Sequence, residues 1–113
     1  MRHGAGYRKI GRVSAHRKAM LRNMVISLFF YGKIQTTLCV AKEARRLAEK
    51  IITFAKKKNE FMIIKTLNDK KIFKKVLEYG VRYQNRNGGY TRIIRLEPRK
   101  GDQASMSLLE LVE

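Results

Sequence analysis

The sequence predicts an α/β fold of the α+β-like kind, with three to four helices packed against a small three-stranded mixed sheet and a basic N-terminal arm. Apolar residues recur at helical spacing through the first two-thirds of the chain, whereas short β-rich runs between glycine turns follow in the last third. Residues 1–42 also contain nine Lys or Arg, two His and no carboxylate. We therefore divide the chain into an arm, 1–13, and one globular domain, 14–113.

The first helix is predicted from a start signal and a stop signal. Ser14 is a typical N-cap residue, and the helix should continue from there to about Tyr31. Gly32 follows at the position where glycine commonly ends a helix. The next residues, 33–38, are rich in β-branched side chains and predict a short strand.

A second helix, from Val40 to about Lys57, is predicted from a broad apolar face built largely of alanine. The charged residues on its opposite side, between positions 42 and 50, alternate in sign. We interpret most of them as an ordinary solvated surface. Cys39, at the start of this helix, is interpreted as a small buried residue.

The remaining elements are shorter. Helices are predicted at about 60–67 and from Asp69, as N-cap, to a stop at Gly80. The last third predicts turns at 87–89 and 98–102 and strands at about 90–97 and 105–112. These two strands should form an antiparallel hairpin, with two pairs of apolar residues facing each other across it: Ile94 and Leu96 against Leu109 and Leu111.

The charge predicts a polyanionic partner. A net charge of +17 on 113 residues repels itself unless counterions or a polyanion compensate it. Structured RNA is the predicted partner, bound by the arm and the first helix through Arg2, Arg8, Lys9, Arg12, Arg17, Lys18 and Arg22. A solvated tail is the simpler interpretation of the arm. Against it, arginine outnumbers lysine there, and its planar guanidinium matches phosphate oxygens.

Several other classes of protein do not match the sequence. Cys39 is the single cysteine, which excludes an internal disulfide framework and a multi-cysteine metal site. No apolar run approaches the roughly 20 residues of a membrane span, and no secretion signal is present. A mitochondrial presequence would be detachable, whereas this arm leads directly into a helix. Paired carboxylates, an activated nucleophile and clustered ligands are all missing, so we expect no enzyme, cofactor, metal or small-molecule substrate.

The composition leaves two alternatives open. A general nucleic-acid-binding architectural protein or RNA chaperone would carry a comparable charge. Near the glycine turn, Arg86 is a further candidate contact, and Tyr90 could either stack on an unpaired base or pack against the core.

Blocks of sequence resemble a known family over essentially the whole chain. They are Met1-Arg2-His3, the block from His16 to Met24, Thr36-Thr37-Leu38, Ala41 to Arg46, Gly88 to Ile93, Gly101-Asp102 and Glu110-Leu111-Val112. In this order they resemble the bacterial-type large-subunit ribosomal protein family number seventeen.

This resemblance implies a structural protein bound to large-subunit ribosomal RNA near the exit of the nascent-chain tunnel, beside neighbouring ribosomal proteins. It implies cytoplasmic ribosomes, with an organellar ribosome as the weaker alternative, and no membrane insertion. The RNA-facing residues that it implies are Arg2, His3, Arg12, His16, Arg17, Arg22, Tyr90 and Arg92.

Overall fold

A computed structural model describes residues 14–113. This part of the chain contains helices α1 (Ser14–Tyr31), α2 (Leu38–Lys56), α3 (Glu60–Leu67) and α4 (Phe73–Arg82), and strands β1 (Lys33–Thr37), β2 (Thr91–Arg95) and β3 (Met106–Leu111). The predicted α/β fold class is confirmed. The predicted arm, 1–13, lies outside the described residues.

The three strands of residues 14–113 form one sheet in the order β1-β3-β2. Both neighbouring pairs are antiparallel, so the prediction of a mixed sheet is wrong. β1 and β2 run in the same direction, but β3 lies between them and prevents a parallel pair. The chain continues this pairing at one end of the sheet, where the Leu111 amide donates to the Gly32 carbonyl at 3.0 Å.

The inward face of β2 differs by one residue from the predicted one. The structure does not bring together the pairs predicted to face each other, Ile94 and Leu96 with Leu109 and Leu111. Ile93 lies opposite Leu109, and Thr91 takes the other inward position. Thr91 can be buried because its hydroxyl donates to the Glu49 carboxylate at 2.6 Å. Because Thr91 has this hydrogen-bond partner, Thr91 and Ile93 face inward, and Ile94, which the apolar pattern alone placed inward, does not.

Local backbone signals determine where α1 and α2 begin and end. Gly32 ends α1 as predicted: its φ of +86° is one that glycine adopts readily, and its amide donates to the Leu28 carbonyl at 2.7 Å. α2 starts slightly earlier than predicted because the Thr37 hydroxyl accepts from the Val40 amide at 3.4 Å. Cys39 is exposed in its first turn, so the prediction that it is buried is wrong.

The start and end of α4 correct two predictions. The Asp69 carboxylate accepts from the Lys71 amide at 2.8 Å, but the helix itself begins at Phe73, so Asp69 orders the preceding turn and does not cap the helix. Gly80 does not stop α4. It is buried inside the helix, where a Cβ atom would lie 2.8 Å from the Ala55 Cβ and 2.9 Å from the Ala55 carbonyl carbon. Gly80 is therefore required by a close crossing of α4 over α2.

The core lies around α2, which contacts every other element of residues 14–113. Its buried residues on this side are Ala41, Ala44, Ala48, Ile51, Ile52 and Ala55. Most of these side chains are small, so the neighbouring elements can approach the helix axis closely. α1 supplies Val25, Leu28 and Phe29 to the same cluster, and β3 supplies Leu109 and Leu111.

Replacing Gly80 with alanine should destabilise the fold. The added methyl group would overlap the Ala55 side chain, and the expected net loss is about 1–2 kcal/mol after the better helix propensity of alanine is included. Urea unfolding followed by circular dichroism measures this change. Val81→Ala is the control, because Val81 is exposed on the same helix and its truncation should change stability by less than about 0.5 kcal/mol. An unchanged free energy of unfolding for Gly80→Ala would show that the two helices are not in close contact.

Candidate nucleic-acid interface

A row of cations follows the polar side of α2. Lys42, Arg46 and Lys50 are spaced by four residues and therefore lie along one face of the helix. Each such like-charge pair destabilises an isolated helix by about 0.2–0.5 kcal/mol. Because the row opposes helix stability, an anion that binds along it would stabilise the helix.

On one side of this row lies a groove between α1, α2 and α3, which we call the three-helix groove. Its volume is about 710 Å³, and it is lined by Arg17, Lys18, Leu21, Arg22, Glu43, Arg46, Leu47, Lys50, Lys65 and Thr66. Among these described residues six are cationic and one, Glu43, is a carboxylate. The groove therefore has the charge expected of a site for a polyanion.

On the other side lies a groove between α2 and β2, which we call the helix–strand groove. Its volume is about 650 Å³, and it is lined by Leu38, Lys42, Arg45, Arg46, Glu49, Ile93 and Arg95. Arg46 lines both grooves, so the two form one continuous basic surface across α2.

Three of the four predicted contacts on α1, Arg17, Lys18 and Arg22, lie at the three-helix groove, but they differ in exposure. Lys18 is exposed and Arg22 is partly exposed, as expected for residues that meet a partner. Arg17, a predicted RNA contact, is by contrast only 7% exposed. The equally buried Glu43 lines the same groove, and a buried opposite charge makes burial of a guanidinium possible. His16 is exposed one residue earlier and does not line either groove among the described residues.

Glu49 does not belong to an ordinary solvated face. Its carboxylate accepts hydrogen bonds from the Tyr90 amide at 3.2 Å, the Thr91 amide at 2.9 Å and the Thr91 hydroxyl. The negative charge is thereby directed to the backbone at the start of β2. Glu49 therefore fixes that segment to α2.

Tyr90 packs against the core, which decides between the two interpretations of this residue. Its ring is buried, and the centres of the Tyr90 and Tyr83 rings are 5.2 Å apart. Its hydroxyl accepts a hydrogen bond from the Lys56 ammonium at 2.8 Å. This hydrogen bond from Lys56 lowers the pKa of Tyr90 below its ordinary value, and desolvation of the ring acts in the opposite direction. Tyr90 is therefore not available to stack on a base in this structure.

Arg86 and Arg92 lie away from the basic surface. The Arg86 guanidinium donates to the Gly89 carbonyl at 3.1 Å and stabilises the turn before β2. Arg92 forms an exposed ion pair with Glu110 at 2.7 Å, across the outer face of the sheet. Neither is among the described residues that line the two grooves.

Residues 14–113 have no group of three or more His, Cys, Asp or Glu side chains placed to hold a metal ion. None of its helices combines the length and apolar character needed to cross a membrane.

Sequence comparison identifies the family of this chain. A family model described as Ribosomal protein L17 matches residues 20–112. The chain belongs to the ribosomal protein L17 family. Members of this family are structural ribosomal proteins, so the chain is not an enzyme.

Several similar proteins align with nearly the whole length of this L17-family chain. One from Myxococcus xanthus, named Large ribosomal subunit protein bL17, is 51% identical over 117 residues and covers 100% of this chain and 84% of its own length. Proteins of the same name from Halothermothrix orenii and Fusobacterium nucleatum are 49% and 48% identical. Their alignments cover 94% and 99% of this chain, and 96% and 100% of those proteins. The family resemblance inferred from the sequence is confirmed.

Five predicted contacts of this L17-family chain lie outside the described residues: Arg2, His3, Arg8, Lys9 and Arg12. Their role stays a prediction. Sequence reasoning also missed five cations of the basic surface on α2 and β2, which are Lys42, Arg45, Arg46, Lys50 and Arg95. The four-residue spacing on α2 was the signal that could have indicated three of them.

Removing the Glu49 carboxylate should destabilise this L17-family fold. Glu49→Ala leaves the Tyr90 and Thr91 amides without their acceptor, and the expected loss is about 1–3 kcal/mol. Glu78→Ala is the matched control, because it changes the net charge equally at an exposed position of α4. Urea unfolding of both variants provides the comparison, and equal stabilities would contradict the role assigned to Glu49.

Proposed function

We propose that this chain is a structural constituent of the large ribosomal subunit and binds large-subunit ribosomal RNA through the basic surface, α1 and the arm. The observation that carries the proposal is the continuity of two cationic grooves through Arg46. A surface of this kind can follow a phosphate backbone, and the guanidinium groups within it can bind phosphate oxygens bidentately.

The use of carboxylates elsewhere supports this proposal. Glu110 pairs with Arg92 on the outer sheet face, and Asp102 pairs with Arg99 in the last turn at 2.7 Å. The Arg99 hydrogen bonds hold the pKa of Asp102 down to about 2, so that pair persists at neutral pH. These carboxylates are therefore occupied away from the grooves.

Membership of the L17 family favours a ribosomal role over the alternative, an architectural protein or RNA chaperone outside the ribosome. The proposal includes neighbouring large-subunit proteins as partners and cytoplasmic ribosomes as the location. A position near the exit of the nascent-chain tunnel follows from the family resemblance.

Charge reversal in the grooves should weaken RNA binding without unfolding the protein. Lys18→Glu and Arg45→Glu each change one exposed residue, one in each groove. Each should lower the affinity for large-subunit RNA and reduce the slope of log affinity against log salt by about 1 for each phosphate that the variant no longer binds. Filter binding between about 50 and 200 mM salt measures both quantities, and circular dichroism checks the fold.

Lys100→Glu is the matched control for these variants. It makes the same change in net charge at an exposed position of the turn between β2 and β3, away from both grooves. Equal weakening by all three variants would show attraction by net charge alone and would support the alternative outside the ribosome. Cosedimentation with large subunits in high salt tests the ribosomal role directly, and loss of cosedimentation for the unmodified protein would contradict it.

Cys39 is the single cysteine of the chain and is exposed, so a probe attached to it can test the proposed location near the tunnel exit. An iron chelate attached to Cys39 generates hydroxyl radicals that cleave nearby RNA in reconstituted large subunits. The proposal predicts cleavage in RNA around the tunnel exit. Cys39→Ser treated in the same way is the control, and cleavage confined to distant RNA would refute the location.

A further inference from the structure

An exposed aromatic residue lies next to the three-helix groove. Phe61, in the first turn of α3, is 71% exposed. The Lys65 ammonium lies over its ring at 5.9 Å from the ring centre, and Lys65 also lines the groove. Phe61 is therefore connected to the basic surface through a shared lysine.

Core packing does not explain Phe61. The inward positions of α3 are taken by Ile63 and Leu67, which are buried in the core cluster. A phenylalanine this exposed gains little from the hydrophobic effect in the folded chain. Most of its surface is accessible to a partner, although the Lys65 ammonium lies over one side of the ring.

We propose that Phe61 is a stacking platform for an unpaired RNA base whose neighbouring phosphates lie in the three-helix groove. This inference rests on the proposed function and specifies the RNA that the groove binds. Aromatic side chains stack on any base, because every base has a π-face, whereas a paired helix does not present its base faces. The substrate class is therefore a single-stranded or bulged segment, and not a continuous duplex.

The charge around Phe61 favours RNA over an apolar protein surface. Six of the described residues that line the groove are cationic, and Lys65 lies directly over the ring. An apolar partner would remove these cations from water without neutralising them, which is unfavourable. A nucleotide instead supplies a base for the ring and a phosphate for the cations.

The chain contains a matched control for this site. Phe30 is also an exposed phenylalanine, 57% accessible, and the Lys75 ammonium lies 5.4 Å from its ring centre. It lies near the C-terminal end of α1, about 12 Å along the helix axis from Arg22, and is not among the described residues lining the groove. Phe30 therefore combines an exposed ring and a lysine as Phe61 does, but outside the groove; it also contacts the Tyr31 ring, with the ring centres 4.9 Å apart.

The test measures the affinity of Phe61→Ser and Phe30→Ser for two RNA probes with equal numbers of phosphates: single-stranded oligoadenylate and a fully paired, blunt-ended duplex. For Phe61→Ser we expect the affinity for oligoadenylate to fall by about five- to one-hundredfold and the affinity for the duplex to stay the same. Phe30→Ser should bind both probes as the unmodified protein does. Circular dichroism should show the same fold for both variants, because both side chains are exposed.

A second measurement follows the stacked base directly. The chain has five tyrosines but no tryptophan, so Phe61→Trp introduces a single tryptophan, which can be excited at a wavelength where tyrosine does not absorb. Oligoadenylate should quench its fluorescence, and the paired duplex should not. This measurement also tests the proposal if Phe61→Ser does not fold.

The outcomes separate this inference from the proposed function. If Lys18→Glu weakens binding of oligoadenylate but Phe61→Ser does not, and Phe61→Trp is not quenched, stacking is overturned and the basic surface is retained. If Phe61→Ser weakens binding of both probes equally, stacking is also overturned. Unchanged RNA affinity together with poorer retention of Phe61→Ser on large subunits would overturn it in favour of a protein contact. If Lys18→Glu and Phe61→Ser both bind as the unmodified protein does, both proposals fail.

Discussion

The close packing around α2 is the constraint on which the rest of this structure depends. Its alanine-rich side lets α4 approach so closely that only glycine can occupy position 80, opposite Ala55. With the other elements of residues 14–113 gathered on that helix, its polar side becomes a ridge between two grooves. The positions of Lys42, Arg46 and Lys50 on the surface therefore follow from the packing of the alanine face.

The carboxylates show how a chain with a net charge of +17 still forms precise polar contacts. Glu49 connects α2 to the start of β2 through hydrogen bonds to two backbone amides and one hydroxyl. Behind this connection the Tyr83 and Tyr90 rings pack together, and the Tyr83 hydroxyl donates to the Val112 carbonyl. Burial raises the pKa of Tyr83, so its hydroxyl keeps the proton that this hydrogen bond requires.

Features encoded by adjacent residues could be predicted from the sequence, whereas features that depend on distant residues could not. Gly32 ends α1 and the alanine pattern defines the buried side of α2, because both signals are local. The role of Gly80 depends on Ala55, and the inward position of Thr91 depends on Glu49; neither partner is adjacent in sequence. The same holds for the candidate site. The cations of α1 were predicted from the sequence, whereas those of α2 and β2 were missed because only the tertiary arrangement brings them together.

The same arrangement explains why RNA binding and folding stability should be coupled in this family member. Like charges repeated along α2 and around the three-helix groove lower the stability of the isolated fold. A polyanion that binds only the folded chain removes this repulsion and adds a stabilisation that grows with the logarithm of its concentration over the dissociation constant. Since the groove is formed by α1, α2 and α3 together, bound phosphates would hold three helices in place at once. The proposed RNA-binding surface would thus also be the part of the fold that a bound polyanion stabilises most.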